Sequence, residues 1–278
     1  MTVRRLLLAL DFLHAEAEVI HIDLKTDNLM LSLEDTSVLV DFVTAESENP
    51  SPGKLIGQSH IIYSSRKFRR PTEAKHYSLP ILCDFGEARI GKTQESGPFV
   101  QPHIYRVPEV IFEMPWGSAI DIWNLAGLIW DLFEGQHLFG DIFDARGGHD
   151  PFRYLALMVA LIGPPPPEFV RRSETMGQCF DSSGGWIAHH EAPVPSVSLE
   201  ALEKRLGGEE KELFLAFVRP NSFLNIRSCS SSRLSQMGTS RINYILRTGD
   251  KKFIQGLRHY RRDLFLPHKA EYGANSQN

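Results

Sequence analysis

His21-Ile22-Asp23-Leu24-Lys25-Thr26-Asp27-Asn28 sets a carboxylate, a lysine two residues on and an amide five residues on within one polar stretch. Short apolar runs flank it, Val19-Ile20-His21 before and Leu29-Met30-Leu31 after, and they read as buried strands around a tight loop. Phosphoryl transfer uses this combination of groups. A carboxylate accepts the proton of an attacking hydroxyl, a lysine neutralises charge on the transferred phosphoryl group, and an amide oxygen ligates a divalent cation.

Moving outward, Cys83-Asp84-Phe85-Gly86 directly follows the apolar run Leu79-Pro80-Ile81-Leu82-Cys83, which reads as a strand. Asp84 is placed to supply a second cation ligand, and Gly86 lets the backbone turn behind it. An acid in a turn after a strand is common, but that bland reading does not explain both strings in this order. A third string, Tyr105-Arg106-Val107-Pro108-Glu109, is followed by Asp121-Ile122-Trp123. The segment from Ile120 to Phe133 is apolar at most positions, so it predicts a helix buried on most of its faces at the centre of a core.

Together with Phe12-Leu13-His14, these strings resemble the large lobe of a eukaryotic Ser/Thr protein kinase. Within that family the chain looks most like fungal relatives of the SR-protein-specific kinases. Those share the phrases I-Y-R-x-P-E-V, D-I-W-N, I-W-D-x-F-E-G and L-x-G-P-P-P-P, and they carry a spacer where residues 34–78 stand here. The resemblance covers residues 2–219. It implies a mainly α fold, a kinase-like large (C-terminal) lobe with a few short β-strands, and use of ATP and Mg²⁺ on protein Ser/Thr, with Arg/Ser-rich proteins as candidate partners. It also implies roles. Asp23 resembles the catalytic base and Lys25 the phosphate-contacting lysine. Asn28 and Asp84 resemble the Mg²⁺ ligands, with Phe85 and Gly86 completing the second string. Arg106 resembles the arginine that orders the activation segment without obligatory phosphorylation, and Val107-Pro108-Glu109 stands where the family has Ala-Pro-Glu. Asp121 resembles the central-helix acid that holds the catalytic-loop backbone.

Three departures follow. Ile22 occupies the arginine position of the usual H-R-D, as a different residue also does in the SR-kinase relatives. No Gly-x-Gly occurs among the 21 glycines, and Lys25 is the first lysine in the chain. The expectation is therefore a chain without the small lobe, its phosphate loop and its ATP-anchoring lysine, leaving an upper face for a partner to cover. Third, the pattern is lost after Arg219, where the family places an arginine that pairs with the equivalent of Glu109. Arg227 is a surrogate for it, and residues 220–278 read as a non-family basic tail.

Composition bounds the rest. The 278 residues are 42% hydrophobic and 23% charged with net charge −4, which excludes a disordered polymer and a small disulfide scaffold. Three cysteines without CxxC spacing point to a reducing, cytoplasmic or nuclear setting and away from a zinc site. No apolar run approaches the about 18 residues of a membrane span. Arg4 and Arg5 before Leu6-Leu7-Leu8 look like the start of an export signal, but Asp11 interrupts the run and no small-residue cleavage site follows. Residues 2–17 therefore read as a buried helix with Val3, Leu6, Leu7, Leu10, Phe12 and Leu13 on its apolar face. Residues 228–278 hold nine Lys/Arg against three acids, leaving residues 1–227 acidic. No nucleic-acid motif frames that basic stretch, which reads as solvated.

Further along, residues 87–104 read as loop, Phe152 to Ile162 as a helix stopped by Gly163 and Pro164, residues 168–208 as irregular, and Glu209 to Arg219 as helix. Two competing functions remain at this point. One is a kinase-derived binding module without catalysis. The other, a small-molecule phosphotransferase, shares H-x-D-x-x-x-x-N but lacks the segment around Tyr105 to Glu109.

Overall fold

The central helix is present as Ala119–Glu134, and every residue from Ile120 to Phe133 is buried. It ends at Gly135, whose left-handed φ of 72° lets its N–H return to the Asp131 carbonyl. Arg205 also donates from its guanidinium to the last carbonyls, Phe133 O and Glu134 O, where the helix dipole favours a cation.

The computed structural model describes residues 2–33, 35–69, 79–95, 97, 100–140, 142 and 148–219. In chain order they form α1 (Thr2–Ala15), β1 (Val19–Ile20), β2 (Leu29–Leu31), α2 (Ser37–Glu48), β3 (Gly53–Ile56), β4 (His60–Tyr63), β5 (Pro80–Leu82), β6 (Arg89–Ile90), β7 (Thr93–Gln94), α3 (Pro108–Ile111), β8 (Trp116–Gly117), α4 (the central helix), α5 (Pro151–Ile162), α6 (Pro167–Val170), α7 (Leu199–Leu202) and α8 (Gly208–Val218). Turns of 3-10 helix lie at Thr26–Asn28, His103–Tyr105 and Glu174–Gln178. A mostly helical chain with a few short strands fits the kinase-like expectation. The tail from residue 220 onward, Arg227 included, lies outside the described residues.

The chain divides into two units, residues 1–28 with 82–278, and Leu29–Ile81. In the larger unit, α1 buries Val3, Leu6, Leu7 and Leu10. Phe12, expected on the same face, is 61% exposed, because two residues past Leu10 turn it about 200° around the helix. Aromatic rings lock α4 to its neighbours. Phe214 of α8 stacks at 5.8 Å on Trp130 and meets Phe133 at 4.8 Å, and Trp123 stacks at 5.9 Å on Phe139. α5 starts as its sequence dictates. Asp150 caps it by accepting from the N–H groups of Phe152 and Arg153, Pro151 fills the first position, and Gly163 at φ 90° ends it.

The segments expected as loop hold more order than their composition shows. Residues 87–104 contain β6, which pairs with β1 through Val19↔Ile90 and Ile20↔Arg89, and β7, which pairs with β8. Residues 168–208 contain the short helix α7 and most of α6. Elements of two to four residues leave no readable periodicity. The smaller unit, expected only as a surface spacer over 34–78, contains α2 and an antiparallel hairpin with Gly53↔Tyr63 to Ile56↔His60 in register. Among its described residues Arg66 pairs with Glu46, and Arg69 with Asp41 and Asp35. Among the described residues no helix is long and apolar enough to cross a membrane.

At the C-terminal end of α4, the Glu134 side chain is 5% exposed and lies 3.8 Å from Arg205, and Glu203 lies 3.6 Å from Lys211. Burial, opposed by Arg205 and followed by the repulsion of Glu203, pushes the Glu134 carboxyl up to about 7. An acid whose folded-state value is raised supports folding fully below its unfolded value and loses that support as pH rises through the folded one. Glu134→Gln is therefore expected to gain stability relative to the parent chain between pH 5 and 8, by on the order of 2–3 kcal/mol, read from denaturant midpoints at each pH.

Candidate active site

The site is built on the first turn of α4. Asp121 has no exposed surface, and its carboxylate accepts from the backbone N–H of His21 at 2.8 Å, the backbone N–H of Ile22 at 2.7 Å and His14 Nε2 at 2.8 Å. A carboxylate near a helix N-terminus is also favoured by the helix dipole. One turn on, Asn124 donates from Nδ2 to the Ile22 carbonyl at 2.6 Å. Both backbone groups of Ile22 are thus held by α4.

That grip is needed because Ile22 sits at φ 74°, a region a β-branched residue rarely adopts. The Asp23 N–H returns to the His21 carbonyl at 2.9 Å, closing a three-residue turn. Ile22 and Leu24 are fully buried, and Asp23 between them is only partly so, its side chain keeping 14% of its surface exposed. The position read as the missing arginine is therefore an apolar anchor for a strained turn.

Lys25 Nζ donates to Asp23 Oδ2 at 2.7 Å, and Asn28 Nδ2 donates to the same oxygen at 2.9 Å and to the Asp23 carbonyl at 2.8 Å. The 3-10 turn Thr26–Asn28 brings Asn28 back over Asp23. The second string is laced to this loop through Cys83, whose N–H donates to the Asn28 carbonyl at 2.9 Å and whose carbonyl accepts from His21 Nε2 at 3.1 Å. Asp84 follows, exposed and at φ 65°, with the Gly86 N–H 3.4 Å from its Oδ1. The Phe85 ring meets the His21 ring edge-on, with centroids 4.7 Å apart.

The third string is joined to the same helix. Gln101 donates from Nε2 to Asn124 Oδ1 at 2.6 Å and to the Tyr105 carbonyl at 3.1 Å, and its Oε1 accepts from the Val107 N–H at 3.0 Å. Gly127 leaves room for the Tyr105 ring, since a Cβ there would lie 3.0 Å from it. The Tyr105 hydroxyl bonds Asp131, which also accepts from His137 Nδ1 at 2.7 Å. That hydrogen bond raises the His137 imidazole above its ordinary range against the effect of burial. Arg106 is buried and donates to Val100 O, Gln101 O and His103 Nδ1. Pro108 occupies the first turn of α3 beside buried Glu109.

Glu109 lies 3.8 Å from Arg172, whose guanidinium sits 4.8 Å over the Phe169 ring. Arg172 is an arginine neighbour of Glu109 among the described residues, and Arg227, expected as its partner, lies outside them. Sequence reasoning does not single out Asn124, Gln101 or Arg172. Asn124 is detectable in principle, because it lies three positions after Asp121 and so on the same helix face. Gln101 and Arg172 stand in segments without periodicity and carry no such signal.

No protein-family profile matches the chain. Among curated proteins, a serine/threonine protein kinase of Aspergillus fumigatus is 44% identical over 217 residues, which is 78% of this chain and 51% of that protein. The serine/threonine-protein kinase SRPK of Physarum polycephalum is 30% identical over 236 residues, covering 78% of this chain and 54% of its own length. The kinase AFC1 of Arabidopsis thaliana is 26% identical over 203 residues, covering 72% and 38%. The homologues of this chain are serine/threonine protein kinases. It spans about half the length of the first two kinases it matches. The kinase-like strings and the mostly helical fold agree with this homology.

Asp121→Ala strands two backbone N–H groups and one imidazole in the core at about 1–3 kcal/mol per donor. The expected loss is at least about 3 kcal/mol in urea unfolding, with the unfolding slope unchanged.

Proposed function

We propose that residues 2–219 carry the phosphotransfer machinery of an ATP-dependent protein serine/threonine kinase, with residues 34–78 as a spacer. The observation that carries this reading is the convergence of Lys25 and Asn28 on one oxygen of Asp23, beside a loop laced to Asp84. Both donors hold Oδ2, and Oδ1 accepts no hydrogen bond from the described residues. In this reading Oδ1 is the acceptor for the proton of a Ser or Thr hydroxyl, while Lys25 faces the transferred phosphoryl group.

The donor set suits Mg²⁺. Asn28 commits its Nδ2 to Asp23 and keeps its amide oxygen, and Asp84 offers an exposed carboxylate. Among the described residues there is no group of three acids, histidines or cysteines able to hold a metal alone. That fits a cation that takes one or two protein oxygens and completes its shell with substrate phosphates and water. When bound, Mg²⁺ neutralises charge on the phosphate oxygens of ATP. The chain's own groups orient the acceptor hydroxyl and take up its proton.

The excess of acid in residues 1–227 suits basic, Arg/Ser-rich protein substrates. Exposed Leu8, Phe12, Phe85 and Ile90 in the larger unit suit a partner that covers apolar surface. One sequence fact favours a second reading, a kinase-derived binding module without catalysis: no Gly-x-Gly occurs among the 21 glycines.

Transfer of radiolabelled phosphate from ATP·Mg²⁺ to an Arg/Ser-rich peptide, by the 278-residue chain and its Asp23→Asn variant, separates the two. Loss of at least about 10²-fold in the variant supports the kinase. Equal rates, or none in either protein, support the binding module.

A further inference from the structure

Two imidazoles stack against each other at the edge of the segment that holds the third string. His103 and His149 have ring centroids 4.0 Å apart and planes 26° from parallel. His103 lies in the 3-10 turn His103–Tyr105, and His149 lies two residues before α5. Arg106 Nη1 stands 3.0 Å from His103 Nδ1. A guanidinium only donates, so His103 Nδ1 must accept, which places the single ring proton on Nε2 and makes the ring neutral. His149 Nε2 is sealed from solvent and has no hydrogen-bond partner among the described residues.

We propose that His103 and His149 form a pH-operated latch that holds residues 100–107 in place when both rings are neutral and releases them on acidification. Protonating His103 turns Nδ1 into a donor facing another donor, so its bond with Arg106 cannot persist. Protonating His149 buries a charge against a neighbouring ring and a guanidinium. The latch therefore opposes three cations within one contact.

Among the described residues, the charged and titratable groups facing the pair come from two places. Arg106 comes from the same segment. From the start of α5 come Asp150, whose charge favours a protonated His149, and the Tyr154 ring, edge-on to His149 at 6.0 Å. Asp150 already caps α5 through Oδ1, and Tyr154 donates from its hydroxyl to the Arg106 carbonyl at 2.8 Å. Burial first, then Arg106, holds His103 below its ordinary value. Burial first, then His103 and Arg106, does the same for His149.

A histidine with a lowered folded-state value supports the closed form above about pH 6.5 and loses that support as pH falls through the lowered value. His137, raised by Asp131, contributes in the opposite direction, so whole-chain stability is the wrong readout and a local one is required. None of this depends on phosphotransfer, and a catalytically silent chain would carry the same latch.

The test follows the imidazole ring resonances of the full chain by NMR from about pH 7.5 to 5, together with amide exchange protection at Tyr105 and Val107 corrected for intrinsic rates. Those amides donate to Pro102 O and Gln101 Oε1. Both rings are expected to titrate below about 6.5, with protection falling at least about 10-fold at the same midpoint. His103→Gln offers Arg106 a carbonyl oxygen at every pH and should leave only the part of the loss that His149 causes. His149→Phe keeps a stacking ring without a titrating nitrogen and should shrink the loss. Ordinary or raised titration of both rings, or protection that ignores their midpoint in the parent chain, overturns the proposal.

Discussion

A single buried carboxylate holds the backbone of His21 and Ile22 to the core. Asp121 accepts from two consecutive backbone N–H groups and from an imidazole of α1, with no solvent to share the work. Bonds of this kind are strong because one partner is ionised, and they are expensive to leave unmade. The same helix turn supplies Asn124 to the Ile22 carbonyl, so Ile22 is fixed from both ends in a conformation that its own side chain disfavours. Local bonds from Lys25, Asn28 and the His21 carbonyl hold Asp23 within its turn, and α4 ties that turn to the core.

Asn124 also faces the other way. Its Oδ1 accepts from Gln101, which in turn bonds the Tyr105 carbonyl and the Val107 N–H. The turn at Ile22 and the third string are therefore held by adjacent atoms of one amide. Tyr105 adds a second attachment through Asp131, and Tyr154 a third through the Arg106 carbonyl. Fully satisfied buried networks of this type favour a single arrangement over alternatives of similar packing.

What can be read in the sequence divides along physical lines. The long apolar helices are legible because ten or more neighbouring positions are mostly apolar. The chemistry of Asp23, Lys25, Asn28 and Asp84 is legible because it requires those residue types at short, fixed spacing. Two-residue strands such as β6 and β7 have neither property. Gln101 and Arg172 act across large separations in the chain, and such pairings are set by the packed fold. Ile22 is instructive in another way. As a letter it looks like the loss of an arginine, and only its backbone angle and burial reveal it as the buried hinge of a strained turn.

The bond between the Cys83 N–H and the Asn28 carbonyl joins the residues on either side of Leu29–Ile81. That bond closes the chain into a loop over the intervening stretch. The entropic cost of closing such a loop grows only slowly with its length. Insertions or deletions within residues 29–81 therefore change the entropic cost of closing the Cys83–Asn28 bond only slightly, and the pairing that sets Asn28 against Cys83 tolerates them.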